Sequence, residues 1–465
     1  MDPFFLRLGH SLFLLTLMVD LCRRISMVSG LYAVSGPMPR FALTFVPRIN
    51  ADGRWLLPVS AFNFSDSNAW TISLLVVALV LCGLLILGLT KKWVYWALIY
   101  LLVSLKARYS PVSMASDFEF TWWLIWFSFF PWNEIYKGDG APVVNFGTRF
   151  FALHLVCFYC VVGLLKSGHT WASGIAVQNT LLFDFMRNPG FDWLLDWPKL
   201  TAGLTYFVRW LEILGSFGLV FGGEARAFRF ILVMVFVFFH IGLGAIFHTF
   251  PLAEIGVATW IMFFPGARWM KGKKIPTPLF SATRAKYETV WKVFASLIFL
   301  FENLAALGNF AALQSNPIIR TAYQQSVDIG LRPSRYFFAP EAPTFSGWLS
   351  IQGKTKAGEI VGVDIIEEKI IRPPDYSKPS LRNGIYKDRG WSRIFYSLTT
   401  RWYDRAVAYG ISSSACKRFP ELKEIEILYF RQKINGTKLD PAERASIFGI
   451  SCDEARAIEE SFFKS

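Results

Sequence analysis

Residues 70–90, "WTISLLVVALVLCGLLILGLT", run for 21 positions without a charged side chain. As a helix this stretch covers roughly the 30 Å of a bilayer's hydrocarbon core. A helix apolar on every side has no face for water and belongs in lipid or a deep core. The rest of the chain has the same texture. It is 53% hydrophobic and 17% aromatic, with only 18% charged residues and positive mean hydropathy. Soluble proteins carry about 25% charged residues. The 465 residues would make two or three soluble domains, but this composition points to a polytopic membrane protein.

Apolar segments fall at about 6–22, 70–90, 93–107, 118–135, 147–166, 201–222, 227–249, 251–265 and 288–310. The predicted fold is an all-α polytopic membrane bundle of about nine transmembrane or re-entrant helices. The 251–265 piece is short and begins near "FPLAE", which suits a bent or re-entrant half. Between Lys166 and Lys199 an amphipathic, aromatic stretch suits the membrane surface. The N-terminal run lacks a small-residue cleavage site and reads as a retained first helix.

Residues 1–315 form the expected membrane domain and 316–465 an extramembrane C-terminal domain. From about 335 charge becomes dense, and "EIVGVDII" (359–366) and "IEILYFRQKI" (425–434) read as strands. "GWSRIFYSLTTRWYDRAVAY" (390–409) reads as a helix, giving a small mixed α/β domain. The loop 266–286 has six basic residues and no acidic one, and Lys91–Lys92 is a second basic turn. With nine spans, the positive-inside rule makes the N-terminus cytoplasmic and the C-terminal domain external. The site is then the cell (inner) membrane, or the endoplasmic reticulum membrane in a eukaryote. Membrane lipid is the expected partner. The +14 charge sits largely in loops flanking helices, which argues against nucleic acid. Six cysteines show no spacing for a disulfide framework or a zinc site. Cys157 and Cys160 read as two small hydrophobic residues, because the redox C-x-x-C motif belongs at a wet helix start.

Lys166 interrupts the apolar run at "YCVVGLLKSGHTW" (159–171). Tyr159, Gly163 and Lys166 share one helix face, and Gly163 leaves room for a helix or ligand. Two readings stand: a lysine snorkelling to headgroups, or an amine kept from water that serves as a base. Asp20 with Arg23 and Arg209 with Glu212 have the i, i+3 spacing of paired charges. Such pairs either lock helices or face a cavity. His240 lies deep in "FVFFHIGLGAIFHTFP" with His248 eight residues on. No third ligand is evident, so no metal is expected.

"DPFFLRLGHSLFLLTLMVDLCRR", "LYAVSGPMPR", "YCVVGLLKSGHTWASG" and "FVFFHIGLG...FP" resemble the membrane domain of vitamin K-dependent gamma-glutamyl carboxylases, also known as the horizontally transferred transmembrane (HTTM) domain. The likeness runs over roughly residues 2–345. It implies that Lys166 is the catalytic base and that Tyr159, Gly163 and Trp171 belong to its motif. In that family the lysine deprotonates reduced vitamin K, whose reaction with oxygen drives proton removal from a glutamate and addition of carbon dioxide. A menaquinone- or ubiquinone-like reduced quinone, with O2 and CO2, would serve here. His240, Arg209 and Glu212 are candidates for the substrate or quinone pocket. Asp117 stands where the carboxylases have a histidine, and it could hold the Lys166 ammonium or accept a proton. Only about 120 residues remain for the large lumenal region that holds the carboxylases' substrates.

Two functions follow. One is an enzyme of carboxylase or quinol-oxidising type, acting on a peptide or protein on the outer face. The other is a non-enzymatic protein for peptide maturation, export or partner binding.

Overall fold

The computed structural model describes residues 1–32, 60–65, 67–109, 113–137, 143–183, 186–221, 226–266, 286–332, 339–378, 398, 405–436 and 438–463. The principal membrane-domain helices are α1 (Pro3–Ser26), α2 (Asn68–Ile86), α3 (Lys92–Arg108), α4 (Ala115–Phe127), α5 (Phe146–Leu165), α6 (Pro198–Leu214), α7 (Arg226–Ile246), α8 (Leu252–Ile261) and α9 (Lys286–Leu307). An amphipathic α10 (Pro317–Asp328) follows. Their starts carry local stop signals. Asp2 accepts from the Phe4 N–H ahead of Pro3, and Ser67 accepts from the Trp70 N–H. Asn145 and Thr148 cap each other reciprocally at the start of α5.

Among the described residues, five helices are long and apolar enough to cross a membrane: Pro3–Ser26, Asn68–Ile86, Phe146–Leu165, Ala227–Ile246 and Thr289–Leu307. α8 is a shorter apolar helix. α3, α4 and α6 occupy three further expected segments but are shorter than these five. Val77 and Val80 on α2, Phe238 on α7 and Leu297 on α9 are exposed on the bundle's rim. Apolar side chains spread along such helices suit lipid rather than water. The stretch after Lys166 is broken into short helices His169–Ala172 and Ala176–Leu182 and a 3-10 turn at Asp192–Asp196.

Inside, the bundle is packed by rings. Trp122, Trp126 and Trp260 are fully buried, and Phe236 stacks on Trp260 with centroids 3.7 Å apart. Glycines permit close helix crossings: at Gly9 a Cβ would fall 2.5 Å from the Ala258 carbonyl oxygen of α8.

The two ends of the bundle differ. At one, the Met1 ammonium donates to the Val143 carbonyl, Gly266 backs onto Asp2, and Lys92 lies 3.5 Å over the Trp291 ring. At the other, Trp122 Nε1 donates to the Leu331 carbonyl, and Arg332 lies over Phe118. From this second end the chain enters a sheet of β1 (Phe345–Thr355), β2 (Ile360–Asp364), β3 (Lys369–Ile371), β4 (Leu422–Asn435), β5 (Lys438–Leu439) and β6 (Glu443–Ser451). The order is β3-β2-β1-β4-β5, with β6 also paired to β4, and every pairing is antiparallel. Ile351 opposite Ile427 and Gly353 opposite Ile425 set the central register. That apolar face packs with Val407, Ile411 and Ala415 of α11 (Arg405–Arg418).

The strands expected around 360 and 430 are present. Of the helix expected over 390–409, residues 390–397 and 399–404 lie outside the described residues, and α11 starts at Arg405. The loop 266–286 lies outside them from residue 267 to 285. The cysteine reading is corrected: Cys416 and Cys452 form a disulfide between α11 and the start of α12 (Cys452–Phe463). Their separation of 36 residues leaves no local motif to read. Cys157 and Cys160 are not joined by a disulfide.

Candidate functional site

Lys166 is the residue on which α5 ends, and its own N–H still reaches the Gly163 carbonyl at 3.2 Å. Only 2% of it is exposed. Protein atoms cover it, which replaces the reading of a lysine snorkelling to headgroups. Its ammonium donates to Glu212 Oε2 of α6, and Nζ lies 5.1 Å from the Trp171 ring centre. A buried charge is costly unless it is paired, and Glu212 supplies the pairing. Together they form a net-neutral unit carrying one proton between an amine and a carboxylate, and the Trp171 face supports the cation.

The spacing of α6 pairs Glu212 with Arg209, and the fold does not. Instead α6 presents Glu212 to α5, while Arg209 is half-buried with its guanidinium 6.0 Å from the Trp210 ring. The room expected at Gly163 for a helix or a ligand is taken by α6: a Cβ there would lie 2.7 Å from Ile213 Cγ1 and 3.1 Å from the Arg209 carbonyl oxygen. Gly163 thus makes room for a helix and leaves none for a ligand.

Tyr159, one turn deeper, bonds through its hydroxyl to His240 Nε2 at 2.5 Å and accepts from Trp260 Nε1 at 2.9 Å. The His240 ring packs directly on Gly256, where any Cβ would overlap it. Tyr159 and His240 therefore tie α5, α7 and α8 together.

Asp117 and Lys166 do not form the expected pair. Asp117 Oδ1 accepts from Arg24 Nη2 at 2.6 Å, and its Oδ2 accepts from the Met114 N–H at 2.8 Å. Arg24 also donates through Nε to Asp20 at 2.7 Å. The expected Asp20–Arg23 pair is thus Asp20–Arg24, one step further along α1. Arg23 points the other way, 4.0 Å over the Phe250 ring. At i+4 the arginine returns to the face of Asp20, toward the bundle interior.

Other buried polar groups escape a reading of the sequence. His154 Nδ1 and Glu302 Oε2 lie 2.8 Å apart, each side chain 1% exposed, with Trp126 Nε1 also on Glu302. Lys106 donates to Thr121 Oγ1 at 2.9 Å, and Tyr95 meets His10 at 3.0 Å. The signal that could find them is an ionisable residue within an apolar segment, the same signal that marks His240. Among the described residues no group of three His, Cys, Asp or Glu could hold a metal ion.

The turn after Lys166 is held from the C-terminal side. Glu341 accepts from the His169 N–H, from the Thr170 N–H at 2.8 Å and from Thr170 Oγ1 at 2.5 Å. The Gly168 N–H donates to the Pro340 carbonyl at 3.0 Å, and the Ala342 N–H to Thr170 Oγ1 at 3.0 Å. Burial works to push the Glu341 carboxyl up. The hydrogen bonds from Thr170 and His169 outweigh it and hold the group below the usual carboxylate range.

No family model, no curated protein and no solved structure matches the chain.

Proposed function

We propose that the chain is a membrane-embedded enzyme of the carboxylase-like, HTTM type, with the Lys166–Glu212 pair as its proton acceptor. The observation that supports this reading is a lysine sealed by protein at the end of a membrane helix and balanced by a single carboxylate. A lone buried lysine would have to shed its proton or be exposed, whereas this pair can pass a proton between its members without creating net charge. Tyr159, Gly163 and His240 take part in helix packing, so the proposed chemistry is placed on Lys166 and Glu212 alone. A reduced quinone is proposed as the substrate: with the pair's own proton resting on Glu212, the neutral Lys166 amine takes the quinol's hydroxyl proton, O2 accepts the quinol's electrons, and CO2 would add to the carbanion left on a peptide glutamate. Glu212 holds the amine in place, and Trp171 screens it from water.

The C-terminal domain is proposed to face outside. Lys92 and Gly266, which precedes the basic loop, sit at the end opposite the sheet. The Cys416–Cys452 disulfide also suits an oxidising compartment.

The test is purified protein given reduced menaquinone, oxygen and labelled bicarbonate. Quinol oxidation lost in Lys166→Ala and in Glu212→Gln is expected. Turnover absent in the wild type, or unchanged in both variants, removes the reading.

One observation favours a second reading, partner binding without catalysis. A groove of about 540 Å³ crosses the open sheet face, lined by Gln352, Lys354, Glu424, Glu426, Ser451 and Glu454 among others. Crosslinking of a co-purifying peptide that is abolished by Glu424→Lys and Glu426→Lys, in protein with no quinol turnover, would select it.

A further inference from the structure

We infer that residues 339–342 form a strap that closes the aqueous side of the Lys166 site, with Glu341 as its positioning residue. The strap lies on the turn that begins directly after Lys166. Five hydrogen bonds join the two segments over a span of three residues on the strap side: three to the Glu341 carboxylate, one to the Pro340 carbonyl and one from the Ala342 N–H. The carboxylate caps the start of helix His169–Ala172, whose first N–H groups have no partner within the helix. Gly168 makes this approach possible, since a Cβ there would overlap the Glu341 carboxylate. Ala342 completes the closure by packing with Trp171 and Ala176, and Trp171 is the ring that covers the Lys166 ammonium.

Two consequences follow from this placement. With the strap seated, Lys166 has protein on its aqueous side, so a reactant present then comes from within the bundle or the lipid, which requires an apolar molecule. A water-borne reactant needs the strap released. β1 begins at Phe345, three residues after Ala342, so a partner that pulls on the sheet domain pulls on the strap. The assignment of substrates to these routes rests on Lys166 acting as the base. Closure by the strap does not.

The experiment uses the full chain in lipid nanodiscs, treated with a membrane-impermeant acetylating reagent and mapped at Lys166. Amide exchange over 168–173 is followed in parallel. Wild-type Lys166 is expected to stay unmodified. In Glu341→Ala its modification and the exchange of the His169 and Thr170 amides should rise by about tenfold or more. Glu341→Gln, which keeps an acceptor oxygen, should fall between the two. Thr170→Val, which removes only the hydroxyl contacts, should raise both signals without touching the capping carboxylate. Should Glu341→Ala and Thr170→Val both fold with Lys166 still unmodified and exchange unchanged, the strap is not the closure. If wild-type protein shows no quinol turnover but the labelling pattern holds, the base reading fails and the strap stands. Turnover in the wild type with no labelling response in either variant keeps the base and removes the strap.

Discussion

Two of the buried ionic groups at the sheet-domain end of the bundle are built differently. Arg24 holds two carboxylates, Asp20 from its own helix and Asp117 from α4, both at ordinary ion-pair distances. Lys166 holds one carboxylate, Glu212 from α6, and is closed over by Trp171 and the strap. Arginine cannot yield its proton and its fork suits two partners at once, so Arg24 is a fixed cross-link. A lysine–glutamate pair is a single proton shared between two groups that both exist neutral. The first arrangement locks helices. The second carries the proton transfer in the function proposed above.

Arg24→Met strikes hardest, because it leaves two buried carboxylates facing each other without their cation. A loss of about 3–5 kcal/mol is expected, read as failure to purify folded protein or a steep fall in detergent-solubilised thermal stability. Lys166→Ala leaves only one carboxylate, which can take up a proton and become neutral. Its cost should be about 2 kcal/mol, and Lys166→Met combined with Glu212→Leu should recover most of that while abolishing any activity. A double mutant as unstable as the sum of the singles would show that the pair is not coupled.

Gly163→Ala probes the packing behind the pair. The methyl meets Ile213 and the α6 backbone, so about 1–3 kcal/mol of destabilisation is expected, partly recovered by Ile213→Ala. No recovery in that double variant would place the strain elsewhere.

The smallest effect concerns the strap. Glu341 is bound more tightly as a carboxylate than in an unfolded chain, so its contribution is present above the ordinary carboxylate pKa. It is lost as pH falls through the lowered folded value. His169 adds a smaller electrostatic contribution in the same direction. Exchange at His169 and Thr170 should therefore be flat at neutral pH after correction for intrinsic rates. It should climb only below the ordinary carboxylate range. A rise already near neutrality would remove Glu341 as the group responsible.

Much of the architecture is legible in the chain. The charge-free run at residues 70–90, the break at Lys166 and the alternation around 360 and 430 each map onto a described element, because span length and side-chain periodicity are local properties. The polar partners are not legible. Spacing along one helix pairs Asp20 with Arg23 and Arg209 with Glu212, and in both cases the ion pair chooses otherwise. Helical spacing says which residues share a face. It does not say that a residue on another helix lies closer, as Lys166 does to Glu212. The disulfide escapes notice for the same reason, since Cys416 and Cys452 are brought together by the packing of α11 against α12.

What the residues alone settle, then, is that this chain is built from apolar helices suited to lipid and followed by a charged domain containing strands. They also mark Lys166 as out of place in its surroundings. Only the folded chain decides that Lys166 is covered by protein, that Glu212 is its counter-ion, that Asp117 belongs to Arg24 and that Gly163 seats α6. The physical reason is that burying a charge demands a partner within hydrogen-bond reach. Which partner is in reach is set by how the helices pack.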